Sequence, residues 1–448
     1  MSLNAFGPGM YGLLFSDPDV APLLDEDAQI QAMLRVEAAL ARAEGLCGVI
    51  PAEAAEKIAA VAETLTLDPR DLAVGTARDG VPVPALVERL RQAVGGEAAR
   101  YVHWGATSQD IVDTALVLNL RDSVAIIDGR LEDLAQRLAG LVAEHRATPL
   151  AARTRMQQAT PTSFGLKLAG WLAPLLRHRD RLGELRGRVF TLSFGGASGN
   201  LAALGGDALA VEAALAEELG LATALLPWHV QRDGIMELAG WLALVTGSLG
   251  KIGTDMVLLS QSEVGEVRLA AAGGSSTMPN KTNPVGPEAL IALARHNATQ
   301  IGAIHQAALQ EHERGGPGWQ LEWMVLPSMA VAAAASLRHG QTLFEGLSVE
   351  AERMRANIAA SQGLLLAEAA SFALAQHMPR PEAQKLVKEA CRKVVAGEGR
   401  LSEVLPRLTD APVDWRKLDD PSLHLGASEP LIDRFLAALR PRLRPGST

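Results

Sequence analysis

Ser275, Ser276, Asn280, Lys281 and Asn283 place hydroxyls, a cation and two amide side chains inside one short run, Gly274-Ser275-Ser276-Thr277-Met278-Pro279-Asn280-Lys281-Thr282-Asn283-Pro284. Two serine hydroxyls, a cation and amide side chains within one run concentrate groups useful for chemistry. The glycine and serine content also suits a plain flexible linker between helices. A second group is His103-Trp104-Gly105-Ala106-Thr107-Ser108-Gln109-Asp110. Thr107 is a good N-cap, and Asp110 three residues on can complete a capping box. The same free N–H groups and hydroxyls at a helix N-terminus bind carboxylates. Capping and carboxylate binding are compatible readings of one feature.

Three runs carry a family resemblance. The 274–284 stretch resembles the GSSxMPxKxNP signature of the fumarase/aspartase superfamily at every fixed position. Residues 103–110 resemble its HxGxTSxD signature, and Arg153-Thr154-Arg155-Met156-Gln157-Gln158-Ala159-Thr160-Pro161-Thr162-Ser163-Phe164-Gly165 resembles RTHxQxAxPxTFG. Within the superfamily the chain looks most like the bacterial 3-carboxy-cis,cis-muconate cycloisomerases. The resemblance implies Ser275 as the catalytic serine, with Lys281 and Asn283 as the electrophilic pair. It implies substrate contacts from His103, Thr107, Ser108, Arg155, Gln157, His229, Arg232, Ser276, Met278 and Arg314, and a site-facing loop holding Thr76 and Arg78.

Arg155 departs from the family pattern, which has histidine on the general-acid side of the carbon–nitrogen lyases. Arginine stays protonated near neutral pH and clamps a carboxylate instead. A cycloisomerase carries its nucleophile within the substrate and protonates no departing amine, so the substitution fits that reaction. The HER run His312–Arg314 is followed by Pro317, Trp319, Gln320 and Trp323, where adenylosuccinate lyases carry serines and a second arginine for a nucleotide phosphate. Rival readings are an adenylosuccinate- or argininosuccinate-type lyase releasing fumarate, a cycloisomerase for a sulfonated or otherwise substituted muconate, and a silent structural relative. The resemblance further implies a tricarboxylate substrate, no metal or organic cofactor, and a homotetramer whose sites each draw on three chains.

The elements that must position these groups read as helices. Leu120, Val124, Ile127, Leu131, Leu134, Leu138 and Leu141 recur at steps of three and four, the stripe of a long helix in a bundle. It follows Thr107 directly and ends near Thr148-Pro149. Other helices are expected from Ile30 to Gly45, from Pro51, from Phe164 to about Arg188 with Pro174 inside, from Ala208 to Leu219, from Gly234 to Val264, and from Pro284 to about Gln310. Gly75 to Pro84 reads as a loop that cannot be regular helix. The expected fold is all-α in three helical domains: an N-terminal domain 1–106, a central long-helix bundle domain 107–347, and a small C-terminal domain 348–448.

Composition limits the partners. Of 448 residues only 4 % are aromatic, which favours helix over sheet, and the net charge of −9 argues against nucleic acid. Cys47 and Cys391 stand far apart with no metal-ligand spacing and read as reduced thiols. The first basic residue is Arg35, and the apolar run Leu238 to Leu249 is short and carries two glycines. The expectation is a cytoplasmic protein without a membrane partner.

Overall fold

The computed structural model describes residues 5–7, 9–270, 273–274, 278 and 281–439. Its regular structure is almost wholly helical, in keeping with the all-α expectation. After the short α1 (Gly12–Phe15), the first long helix α2 (Glu26–Leu46) opens on Asp25, whose carboxylate accepts the Ala28 N–H at 2.8 Å. Glu26 and Asp27 fill its first turn, where the helix dipole favours negative charge. Then come α3 (Ala52–Thr64), α4 (Pro69–Asp79) and α5 (Val83–Val94).

Helix α4 corrects the expected loop, since Gly75, Thr76, Ala77, Arg78 and Asp79 are helical and the chain turns only at Gly80. Gly75 is there for packing. A Cβ on it would lie 2.7 Å from the Ala85 Cβ of α5, so the missing side chain lets the two helices approach. Thr76 bonds back to the Leu72 carbonyl at 2.9 Å, and the Arg78 guanidinium pairs with Asp79 at 2.7 Å. Thr76 thus spends its hydroxyl on the helix backbone, and Arg78 pairs with its sequence neighbour at the surface.

Helix α6 (Ser108–Glu144) spans 37 residues, about 55 Å at 1.5 Å per residue. All seven residues of its heptad stripe are at most 4 % exposed. It is followed by an antiparallel hairpin, β1 (Pro149–Thr154) and β2 (Gln157–Ser163), with a register shift between Ala151 and Arg153. Helices α7 (Phe164–Val189), α8 (Ala208–Leu219) and α9 (Asp233–Ser260) come next. Among the described residues α9 is the one helix long and apolar enough to cross a membrane, and half of its most apolar window is buried inside the chain. The short strands β3 (Val267–Leu269), β4 (Gly273–Gly274) and β5 (Thr282–Asn283) lead to α10 (Val285–Ala307) and α11 (Pro317–Glu345). Strand β6 (Leu347–Val349) pairs with β3. The chain closes with α12 (Ala351–Ala359), α13 (Ala367–Leu374), α14 (Arg380–Val395), α15 (Leu401–Val404) and α16 (Ser428–Leu439).

By contact the chain divides into two compact units: Met1–Arg130, His178–Gly250 and Ala292–Arg338 in one, Leu131–Arg177, Lys251–Ile291 and His339–Thr448 in the other. This groups residues by contact, whereas the three consecutive segments divide them along the chain; residues 107–347 contribute to both units. In the second unit α13, α14 and α15 bury a cluster of their own around Leu374, Val387 and Leu405.

Candidate active site

The first two turns of α6 gather four segments of the first unit. The Asp110 carboxylate accepts the Thr107 N–H at 2.9 Å, the reciprocal half of a capping box. It also accepts the Gly195 and Gly196 N–H groups at 2.8 and 3.0 Å, and lies 2.7 Å from His229 Nε2. The Gln109 amide donates to the His229 carbonyl at 2.9 Å. Its own oxygen accepts Arg314 Nε at 3.1 Å, while Arg314 Nη2 donates to the Gly196 carbonyl at 3.1 Å.

Arg314 is half-buried, and among the described residues it forms no ion pair: both of its partners are neutral. A guanidinium with no carboxylate partner beside a helix N-terminus is chemically able to bind an anion. Thr107 and Ser108, at that terminus, are half-buried rather than sealed. Arg314 is thus tied through Gln109 to the first turn of α6, beside Thr107 and Ser108 in the chain.

His229 and Arg232 are placed differently from a direct contact. The His229 side chain is 3 % exposed, and its Nδ1 is buried without a partner among the described residues. It ties the Pro227–Asp233 turn to α6. Arg232 is sealed between two carboxylates, with Nη1 2.7 Å from Asp113 and Nε 2.9 Å from Glu322. Burial works against its charge, but Asp113 and Glu322 together drive its basicity further up. Burial and the Asp113 charge hold the Glu322 carboxyl above the ordinary range even though Arg232 pulls it down, because two carboxylates share one cation. The expected contact at Arg232 is therefore corrected: its guanidinium is fully used by the fold. Trp319 spends its indole N–H on Asp113 at 2.8 Å, tying α11 to α6, and packs edge-on against Trp323 of its own helix at 4.7 Å.

His103 lies in the loop before α6, five residues ahead of Ser108, with a left-handed backbone at φ 61°. Its Nδ1 lies 2.6 Å from Glu37 on α2. Burial lowers the affinity of this ring for a proton, but the Glu37 charge and hydrogen bond, helped by Asp110 and opposed by Arg91, raise it overall. Glu44, one heptad from Glu37, is buried with neither carboxyl oxygen partnered among the described residues. Burial, reinforced by the Glu37 charge, pushes its pKa up to about 9.

The remaining residues belong to the second unit. Arg155 and Met156 form the tip of the β1–β2 hairpin, both with positive φ (51° and 66°), and Arg155 and Gln157 are exposed. Gln157 pairs across the hairpin with Thr154. Arg153, next to the tip, is committed to a bidentate pair with the buried Glu266, both contacts at 2.8 Å. Ser275 and Ser276 lie outside the described residues. The base of their run is described: β4 and β5 zip it shut through Gly273–Asn283 and Gly274–Thr282 pairs. A Cβ at position 273 would meet the Val285 Cγ2 at 2.6 Å, so this closure requires glycine. Lys281 and Met278 are exposed, joined by a backbone bond from the Lys281 N–H to the Met278 carbonyl at 3.0 Å, and Asn283 is half-buried. Among the described residues no group of three or more His, Cys, Asp and Glu side chains could hold a metal ion.

Glu37, Asp113 and Glu322 carry much of this geometry and were not singled out from the sequence, where Asp110 was read as a capping residue. One signal was present: Glu37 and Glu44 interrupt the apolar face of α2 seven residues apart, and charges at buried helix positions need a reason.

Comparison with known proteins places this geometry in context. A family model described as Lyase matches residues 23–297. A 3-carboxy-cis,cis-muconate cycloisomerase of Pseudomonas aeruginosa is 46 % identical over 439 residues, 96 % of each chain. The crystal structure of 3-carboxy-cis,cis-muconate lactonizing enzyme from Pseudomonas putida superposes with a TM-score of 0.91 at 42 % identity, covering 96 % of this chain and 98 % of that one. A trans-aconitate decarboxylase 1 of Mycosarcoma maydis is 36 % identical, over 95 % of this chain and 88 % of that protein.

Proposed function

The chain belongs to the lyase family whose members include the 3-carboxy-cis,cis-muconate cycloisomerases, and from that premise we propose that it converts 3-carboxy-cis,cis-muconate to 4-carboxymuconolactone. One substrate carboxylate adds to the conjugated double bond. A carbon–oxygen bond forms, the π electrons move onto a second carboxylate as a dianionic aci-carboxylate, and a proton is then added at carbon. One carboxylate becomes a lactone ester, so each turnover takes up one proton from water.

The observation that carries this reading is the unbalanced charge of Arg314 at the start of α6. Backbone N–H groups and hydroxyls at Thr107 and Ser108 supply further donors for a substrate carboxylate, and His103 stands on the same loop. The exposed guanidinium of Arg155, where a lyase needs an acid, supports a carboxylate clamp. Ser275 would deliver the proton to carbon, with Lys281 and Asn283 stabilising the developing charge, and Ser276, Met278 and Gln157 completing the substrate shell. No metal or organic cofactor has a part in this chemistry.

The likeness to the superfamily supports a cytoplasmic homotetramer acting in aromatic (protocatechuate) catabolism, each site drawing on three chains. Sedimentation equilibrium tests this point, and a monomer at micromolar concentration contradicts it. The activity is tested by presenting muconate, 3-carboxymuconate and adenylosuccinate in parallel. Selective consumption of 3-carboxymuconate supports the reading, and fumarate release from adenylosuccinate overturns it.

A further inference from the structure

We propose that Glu37 is a positioning residue that holds His103 with Nδ1 protonated and Nε2 presented as a charged donor to a substrate carboxylate. This rests on the reading of the α6 N-terminus as a carboxylate site. Glu37, like Glu44, interrupts a buried face of α2 that includes Met33, Leu34, Val36, Ala38 and Leu40, and a carboxylate there gains nothing from packing. Glu37 is 1 % exposed, and its hydrogen-bond partner is His103 Nδ1 at 2.6 Å. The contact joins positions 66 residues apart in sequence.

The other end of the pair is specialised as well. His103 adopts a left-handed backbone, which costs a non-glycine residue on the order of 1 kcal/mol and persists only where the surroundings fix it. Its side chain is 16 % exposed, and Nε2 has no hydrogen bond among the described residues. One ring nitrogen is therefore bound to a buried acid, and the other is left for something outside the fold. That arrangement fixes both the orientation of the ring and its tautomer.

Three charged groups face the ring. Glu37 from α2 and Asp110 from α6 favour the imidazolium, and Arg91 from α5 opposes it. Glu44, on the same helix as Glu37, is protonated near neutral pH and adds no charge there. Asp110 already holds four donors. Glu37 is thus the counter-charge in direct contact with the ring. No covalent step is involved: the imidazolium donates Nε2–H to a carboxylate oxygen and keeps its proton.

The test is histidine-selective nitrogen NMR of the ligand-free protein, with His103 assigned by its absence in His103→Asn. In the unmodified chain the His103 signal should show Nδ1 protonated above and below its titration midpoint; the Nε2–H tautomer at high pH overturns the proposal without any variant at Glu37. In Glu37→Gln the midpoint should fall by about one unit or more. The high-pH limb of kcat/KM should move with it, so that the loss at pH 8 exceeds the loss at pH 6 by roughly tenfold, and Glu37→Asp should restore part of the difference. An unchanged midpoint in folded Glu37→Gln, or a loss equal at all pH values, overturns it. If His103→Asn keeps full kcat/KM, the site reading fails, and the NMR result on Glu37 is decided separately.

Discussion

Replacing Arg314 with alanine should separate binding from folding. Its guanidinium is held by the Gln109 side chain and the Gly196 carbonyl, each at 3.1 Å, with no carboxylate paired to it among the described residues. The fold therefore loses two hydrogen bonds to neutral acceptors that water can replace at a half-buried position. A bound carboxylate loses far more. A charge-assisted hydrogen bond contributes about 1.5–3 kcal/mol, and a unit charge at 4 Å with an effective dielectric near 20 interacts by about 4 kcal/mol. A loss of about 3–4 kcal/mol corresponds to a fall in kcat/KM of roughly 10²–10³-fold. Steady-state kinetics on 3-carboxymuconate, run beside thermal unfolding, measures both. Arg314→Lys should recover part of the rate, since the charge stays and the fork is lost. If Arg314→Ala keeps kcat/KM within about threefold while folded, the anion site is elsewhere and the reasoning fails.

Other perturbations should behave differently. Arg232→Met strands Asp113 and Glu322 in the interior and should cost about 3–5 kcal/mol of stability by chemical denaturation, with activity falling only as the folded fraction falls. Glu44 binds its proton more tightly in the folded chain than in the unfolded one, so its contribution is intact below pH 4.5 and is lost as pH rises toward about 9. The slope in that window is about 1.4 kcal/mol per pH unit, and Glu44→Gln should flatten it; a parallel pH–stability curve in the variant contradicts the assignment. Gly75→Ala should destabilise by about 1–3 kcal/mol through the clash with Ala85, less the helix-propensity gain of about 1 kcal/mol. Ser275→Ala should abolish turnover without moving the melting temperature; residual activity near that of the unmodified chain removes Ser275 from its proposed role.

Much of the fold was legible because helix periodicity is a local signal. The stripe from Leu120 to Leu141 is buried along its length, and α8 spans Ala208–Leu219 as read. The capped start of α6 was legible for the same reason, since Thr107, Ser108 and Asp110 are neighbours. What escaped is non-local or rests on backbone shape. The β1–β2 hairpin turns on Arg155 and Met156, non-glycine residues with positive φ, and so shows none of the usual turn composition. Gly75 reads as a helix breaker when its role is close approach of two helices. Asp110 meets His229 and the Gly195–Gly196 amides across 85 to 119 residues, and Glu37 meets His103 across 66, distances no pattern within a window can span.

The central claim is that the substrate's own carboxylate closes a ring and its carbon is then protonated. The direct measurement is to mix the purified chain with 3-carboxy-cis,cis-muconate in weak buffer, following loss of the diene absorbance and proton uptake together. The account predicts one proton taken up for each diene consumed, with a lactone as sole product. Consumption without proton uptake, release of a second product, or no consumption under conditions where the chain is folded would contradict it.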